Sequence, residues 1–217
     1  MQPTPLSRRR FVQLAGVGSA SALLGPTHHA SGAQAAASGP AASLQRQPSA
    51  DTQTIPMIQV QPIGSYTVER LNKILTSELA EFSDYKVEFP PAKYAVDLFR
   101  VLYPSVIPER DNQPTTASGL IALPNFGDAA APDKLPLVSY QHGTVYGANE
   151  VPSDPEQSME TRLMLAQFAG QGYALIGADY FGRGQSPETD SYLVKESTQQ
   201  ACFDMLMAAR AALPELG

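Results

Sequence analysis

The stretch from Leu135 to Ala178 constrains the fold more than any other part of the chain. It opens on Leu135 to Gln141, a short run that reads as a strand buried on both faces of a parallel sheet. Ser153-Asp154-Pro155-Glu156 follows with the form of a capping box and a proline in the first turn, so a helix is expected with Met159, Leu163 and Ala166 on one face. Gly170 and Gly172 end that helix, and Tyr173 to Ala178 reads as a second apolar strand. Parallel neighbours need a long crossover, and strand, helix and strand supply one. The expected fold class is therefore α/β.

The flanking segments fit that class. Val68, Leu71, Leu75, Leu79 and Phe82 recur at spacings of three and four, which predicts an amphipathic helix over Thr67 to Phe82. Tyr94 to Tyr103 and Thr115 to Leu123 are rich in β-branched and aromatic residues, with Pro104, Pro108, Asp111 and Asn112 between them. They read as two strands joined by a loop, in an antiparallel pair. Val194 to Leu213 predicts a helix with Ala201, Met205, Ala208 and Ala212 on one stripe, closed by Pro214. No internal repeat or heptad pattern interrupts this order.

The N-terminus has a different character. Arg8-Arg9-Arg10-Phe11, a mildly apolar Leu14 to Leu24 and the small residues through Ala35 form an export signal of the twin-arginine type, over residues 1–35. The apolar part is too short and too rich in Gly and Ser to span a bilayer. From Ala30 to Ala50, 16 of 21 residues are Ala, Ser, Gly or Pro, too few apolar groups to offset chain entropy. Residues 36–55 are accordingly expected to be a disordered spacer, leaving 56–217 as one domain. Removing the signal would leave 12 basic against 21 acidic residues, which disfavours nucleic acid as a partner. The expected destination is periplasmic or extracellular, with the twin-arginine export machinery as a transient partner. The single Cys202 can form no internal disulfide and reads as a small packed residue or a reactive thiol.

The chemistry points to Leu137-Val138-Ser139-Tyr140-Gln141-His142-Gly143-Thr144. Acyl transfer needs backbone N–H donors aimed where negative charge develops, each worth about 2.7–4 kcal/mol of barrier. A turn just past a buried strand exposes such donors, so His142, Gly143 and Thr144 are the oxyanion-hole candidates, Thr144 N–H first and Gly143 N–H next. His142 has a second reading in which its ring only pins the loop. Tyr146 and Tyr180 are candidates for contact with a substrate chain, or for core cover. Asp179 reads as ordering the turn at Gly182 to Gly184 rather than as a reacting group, and Asp204 as a tether. Neither a dinucleotide fingerprint, a phosphate loop nor a metal-ligand cluster is present, so no cofactor or metal is expected.

From about Tyr94 to Gly217 the chain resembles the α/β-hydrolase superfamily, on the His142-Gly143 turn and on Gly172-Tyr173-Ala174-Leu175-Ile176-Gly177-Ala178-Asp179-Tyr180-Phe181-Gly182-Arg183-Gly184-Gln185-Ser186. It looks closest to the secreted bacterial and fungal lipase branch, through Tyr140 to Thr144, Asp179-Tyr180, Ser191-Tyr192-Leu193-Val194 and the helix from Asp204 to Arg210. The resemblance implies a partial α/β-hydrolase fold, strands 1 to 4 of a mostly parallel sheet with flanking helices, whose third strand is an exposed edge. It also implies hydrolysis of a hydrophobic carboxylic ester by serine acyl-enzyme chemistry. No Gly-x-Ser-x-Gly occurs; Gly184-Gln185-Ser186-Pro187-Glu188 lacks the final glycine. None of the triad is present, and the chain is expected to be an N-terminal half, ending roughly 10–20 residues before its nucleophile and inactive alone. An improvised Ser186–His142 dyad needs the two within hydrogen-bond reach. Two other functions stay open: an exported non-catalytic module of this fold, and another hydrolase on the same scaffold, such as an epoxide hydrolase, dehalogenase or peptidase.

Overall fold

The computed structural model describes residues 57–82 and 87–216; the expected signal peptide and all but the last position of the N-terminal 57 residues lie outside them. The described residues begin with β1 (Gln59–Tyr66) and α1 (Val68–Lys73), the helix capped by the Thr67 hydroxyl accepting from Arg70 N–H. A π-helical stretch (Ile74–Glu78) carries α1 into α2 (Leu79–Phe82). Then come β2 (Ala95–Ile107), β3 (Gln113–Asn125), β4 (Leu137–Tyr140), α3 (Met159–Gln167), β5 (Ala174–Ala178) and α4 (Lys195–Leu216).

The five strands form one sheet in the order β1-β2-β3-β5-β4. β4 and β5 are parallel, with Val138 opposite Leu175, and α3 lies between them in sequence. β3 runs antiparallel to both of its neighbours, β2 and β5. Because side chains alternate across a strand, Leu175 and Ile176 enter different cores. On one face Val101, Tyr103, Ile121 and Ile176 meet α4 through Ala201, Met205, Ala208 and Ala212, the stripe read from the sequence. On the other, Val96, Leu98, Leu120 and Leu175 meet Leu71, Ile74 and Leu75 of the N-terminal helix and Leu165 of α3. The architecture is thus a mixed α/β sheet flanked by helices. Tyr66, Arg70, Glu78, Glu156 and Arg162 form a hydrogen-bond and ion-pair group that ties the N-terminal helix to the start of α3.

Several elements differ from the expected boundaries for identifiable reasons. β1 carries no readable pattern because Pro62 and Gly64 interrupt it; they flank a register shift on a strand that is an edge among the described residues, where a bulge and a proline are tolerated. Pro104 sits inside β2 rather than in the loop, at a point where β1 has stopped pairing. The loop is the tighter turn Pro108–Arg110, closed by Asp111 and Asn112 in left-handed conformations. β4 is shorter than expected and is not buried on both faces; it is the exposed edge that the resemblance implied, at the end of the sheet among the described residues, with Leu137 42% exposed. Ser158, not Ser153, caps α3, accepting from Thr161 N–H; Thr161, Leu165 and Ala166 are its buried residues, and Met159 and Leu163 pack partly buried against the same core. Pro214 does not close α4, because Leu213 and Leu216 pack against the core on either side of it.

One turn fixes the path after β5. Gly182 has φ +79°, and a Cβ there would lie 2.3 Å from Asp190 N and 2.4 Å from its Cα. Both contacts are backbone and cannot swing away. Gly182→Ala is expected to destabilise the fold by about 3 kcal/mol, from the left-handed penalty plus overpacking; a shift in urea midpoint checks it.

Candidate functional site

The parallel pair ends with Tyr140 opposite Gly177, and the loops leaving both strands build the site. His142 is only 7% exposed. Its ring stacks on Tyr180 with centroids 4.1 Å apart, its Nε2 lies 3.2 Å from the Asp179 carbonyl oxygen and its Nδ1 2.9 Å from that of Gly143. Tyr180, itself at φ +67°, donates its hydroxyl to the His142 carbonyl at 3.3 Å. With both nitrogens facing carbonyl oxygens, the ring is tethered within its own loop. Ser186 makes its side-chain hydrogen bond with Glu188 N–H, not with His142.

The next two amides differ in their partners. Gly143 N–H faces Glu160 of α3, whose carboxylate oxygens lie 3.1 and 3.2 Å away. Thr144 N–H has no protein acceptor among the described residues, and Thr144 Oγ1 is 3.4 Å from the Tyr192 hydroxyl. Gly143 does not have positive φ, and a Cβ there would make only an ordinary contact with Glu160 at 3.5 Å. The turn therefore does not need glycine's left-handed freedom.

A cavity of about 320 Å³ opens on this loop, lined among others by His142, Gly143, Thr144, Tyr180, Tyr192 and Leu193. Leu193 is 83% exposed and held at φ +63°. Tyr146 stands on the same loop, exposed, with its N–H donating to Glu150 at 3.2 Å, but it does not line this cavity.

Arg183 braces the far side of the loop. It donates to the Gly147 carbonyl at 2.8 Å and the Val145 carbonyl at 3.2 Å, and pairs with Asp190 at 2.6 Å. Gly184 N–H adds a bond to the Ala148 carbonyl. Beneath them Asp179 is fully buried, accepting from the Ser118 hydroxyl at 2.5 Å and from the Ser153 hydroxyl and N–H at 2.6 and 2.9 Å. Burial pushes its carboxyl above the ordinary range, partly offset by those bonds. Ser118 in turn accepts from Gln185 N–H, so Asp179 orders the glycine turn as expected. Asp204 tethers α4 to β2 through the Ser105 hydroxyl. Burial also pushes the Cys202 thiol up, away from reactivity.

Glu160, Arg183 and Ser118 are not singled out for the site by the sequence, and Ser153 only as a helix cap. Arg183 sat between two glycines already noted, which was a usable signal. The other three carry none, because their partners lie far along the chain.

The sheet order, the reversed β3 and the site at the ends of a parallel pair define an α/β-hydrolase-like fold. Among solved structures, the chain is similar to an inferred hydrolase from Legionella pneumophila, at 27% identity over 73% of this chain, with a TM-score of 0.60. It is also similar to the rice cell wall degrading esterase LipA from Xanthomonas oryzae, at 27% identity over 73% of this chain and a TM-score of 0.57. A ligand-bound form of that esterase matches at 25% identity and 0.56. The chain spans 39% of the Legionella protein and 37–38% of LipA. No family model and no curated protein matches it. No helix among the described residues is long and apolar enough to cross a membrane.

Proposed function

We propose that this chain provides the oxyanion loop and one wall of the acyl pocket of an exported carboxylic ester hydrolase. The carrying observation is the Thr144 N–H, without a protein acceptor, on a loop that also lines a cavity of about 320 Å³. That volume is within the range of small-molecule pockets, and Tyr180, Tyr192 and Leu193 make its wall suited to a hydrophobic ester. When an ester carbonyl is attacked, negative charge grows on its oxygen, and a fixed N–H stabilises it without reorganisation. The similarity to LipA supports the ester class. Nucleophile, acid and base have no counterpart in this sequence and are assigned to other residues of the full-length gene product. The arginine-led N-terminus supports the export part of this reading.

The test is ester turnover by the full-length gene product. Hydrolysis of p-nitrophenyl butyrate and octanoate, blocked by a fluorophosphonate in one-to-one labelling, is the expected result, with the 217-residue chain giving neither. A full-length product that is neither labelled nor active would favour the non-catalytic module. Turnover without labelling would favour another hydrolase chemistry on this scaffold.

A further inference from the structure

The loop after β4 carries two successive candidate amides, and one of them is already taken. Both oxygens of Glu160 lie within 3.2 Å of Gly143 N, and Glu160 meets no Lys, Arg or His among the described residues. A half-buried carboxylate without a cation is costly unless donors compensate it. Here the compensation is a charge-assisted bond to Gly143 N–H, together with the N-terminal dipole of α3, where Glu160 occupies the second position. Glu160 is not among the residues that line the cavity, although Gly143 and Thr144 are.

Other anchors of the loop act on different groups. Arg183 holds the carbonyls of Val145 and Gly147, and Gly184 holds that of Ala148. Only Glu160 takes an N–H at the position where two candidate donors compete. An oxyanion cannot share an amide with a carboxylate, since like charges at that distance repel by several kcal/mol at protein-like screening.

We propose that Glu160 is the positioning residue of the oxyanion loop: it holds Gly143 N–H on the back of the loop and commits Thr144 N–H to the substrate oxygen. The assignment rests on the ester-hydrolase reading above. Glu160 touches no reacting atom; it acts by orienting the amides that follow His142. Glutamine at this position keeps one side-chain oxygen able to accept the Gly143 N–H, whereas alanine keeps none.

Two measurements on the full-length gene product test this. In amide hydrogen exchange, the Gly143 amide is expected to be protected in the wild type and the Thr144 amide to exchange freely. Glu160→Ala is expected to speed Gly143 exchange by about tenfold or more, and Glu160→Gln to restore most of the protection. In ester turnover, Glu160→Ala is expected to lower kcat by about 10²-fold with KM nearly unchanged, the cost of misplacing a catalytic group by about an ångström, and Glu160→Gln to recover most of it. Wild-type exchange at Gly143 as fast as at Thr144 overturns the proposal and requires no variant to fold. Wild-type turnover that is insensitive to Glu160→Ala overturns the positioning role alone. A wild-type product that hydrolyses no ester removes the hydrolase reading and this assignment with it.

Discussion

Asp179→Ala is expected to cost roughly 3–6 kcal/mol of stability, the largest effect of any single side chain near the site. The carboxylate receives three buried donors, the Ser118 hydroxyl and the Ser153 hydroxyl and N–H. Each donor left without an acceptor costs about 1–3 kcal/mol. The damage would spread, because Ser118 also receives Gln185 N–H and the Asp179 carbonyl faces the His142 ring. Gly184 shows how closely this group is packed: a Cβ there would lie 2.2 Å from Asp179 Oδ2. Urea denaturation of wild type and variant measures the loss, and a difference under about 1 kcal/mol would show that water replaces the carboxylate.

The same residue gives a pH dependence of defined sign. Burial holds the folded Asp179 carboxyl above its ordinary value, so the folded state keeps this proton to higher pH than the unfolded chain does. The contribution is fully present below the unfolded pKa, near 4, and is lost as pH rises through the raised folded pKa. Asp179→Asn cannot titrate and should lack this slope. The stability difference between wild type and Asp179→Asn is therefore expected to move against the wild type as pH rises from about 4 toward neutrality. A difference that is flat with pH would place the folded carboxyl in the ordinary range.

Thr144→Pro is expected to lower kcat of the full-length gene product by about 10²–10³-fold, the usual cost of removing one oxyanion donor. Proline removes the N–H, and Thr144 N–H holds no other protein group among the described residues that its loss would orphan. A matched thermal melt separates this from unfolding. Retained turnover in a folded Thr144→Pro variant would move the donor elsewhere, with Gly143 N–H the next candidate. The pair of variants at Thr144 and Glu160 thus addresses the donor and its orientation separately.

Legibility in the sequence followed the range of the interactions. The helix stripe of Ala201, Met205, Ala208 and Ala212 was readable because helical periodicity already specifies a face. The parallel pair was readable because two apolar runs with a helix between them have few alternatives. β1 was not, since an edge strand with Pro62 and Gly64 carries little alternation. The end of α4 was misread, since proline's local preference yielded to the packing of Leu213 and Leu216. At the site, His142, Gly143 and Thr144 were legible as a turn at a strand end, and Tyr180 now stacks on the His142 ring.

The sequence by itself determined the strand–helix–strand unit, the stripes that face each core and the turn that carries His142, Gly143 and Thr144, because each is encoded by neighbours a few positions apart. Only the tertiary structure decided which amide of that turn is open. Glu160 lies 17 residues from Gly143, and Ser118 lies 61 from Asp179. Those pairs meet because β3 lies beside β5 and α3 returns beside the loop after β4, and no local pattern encodes a meeting made by the whole sheet.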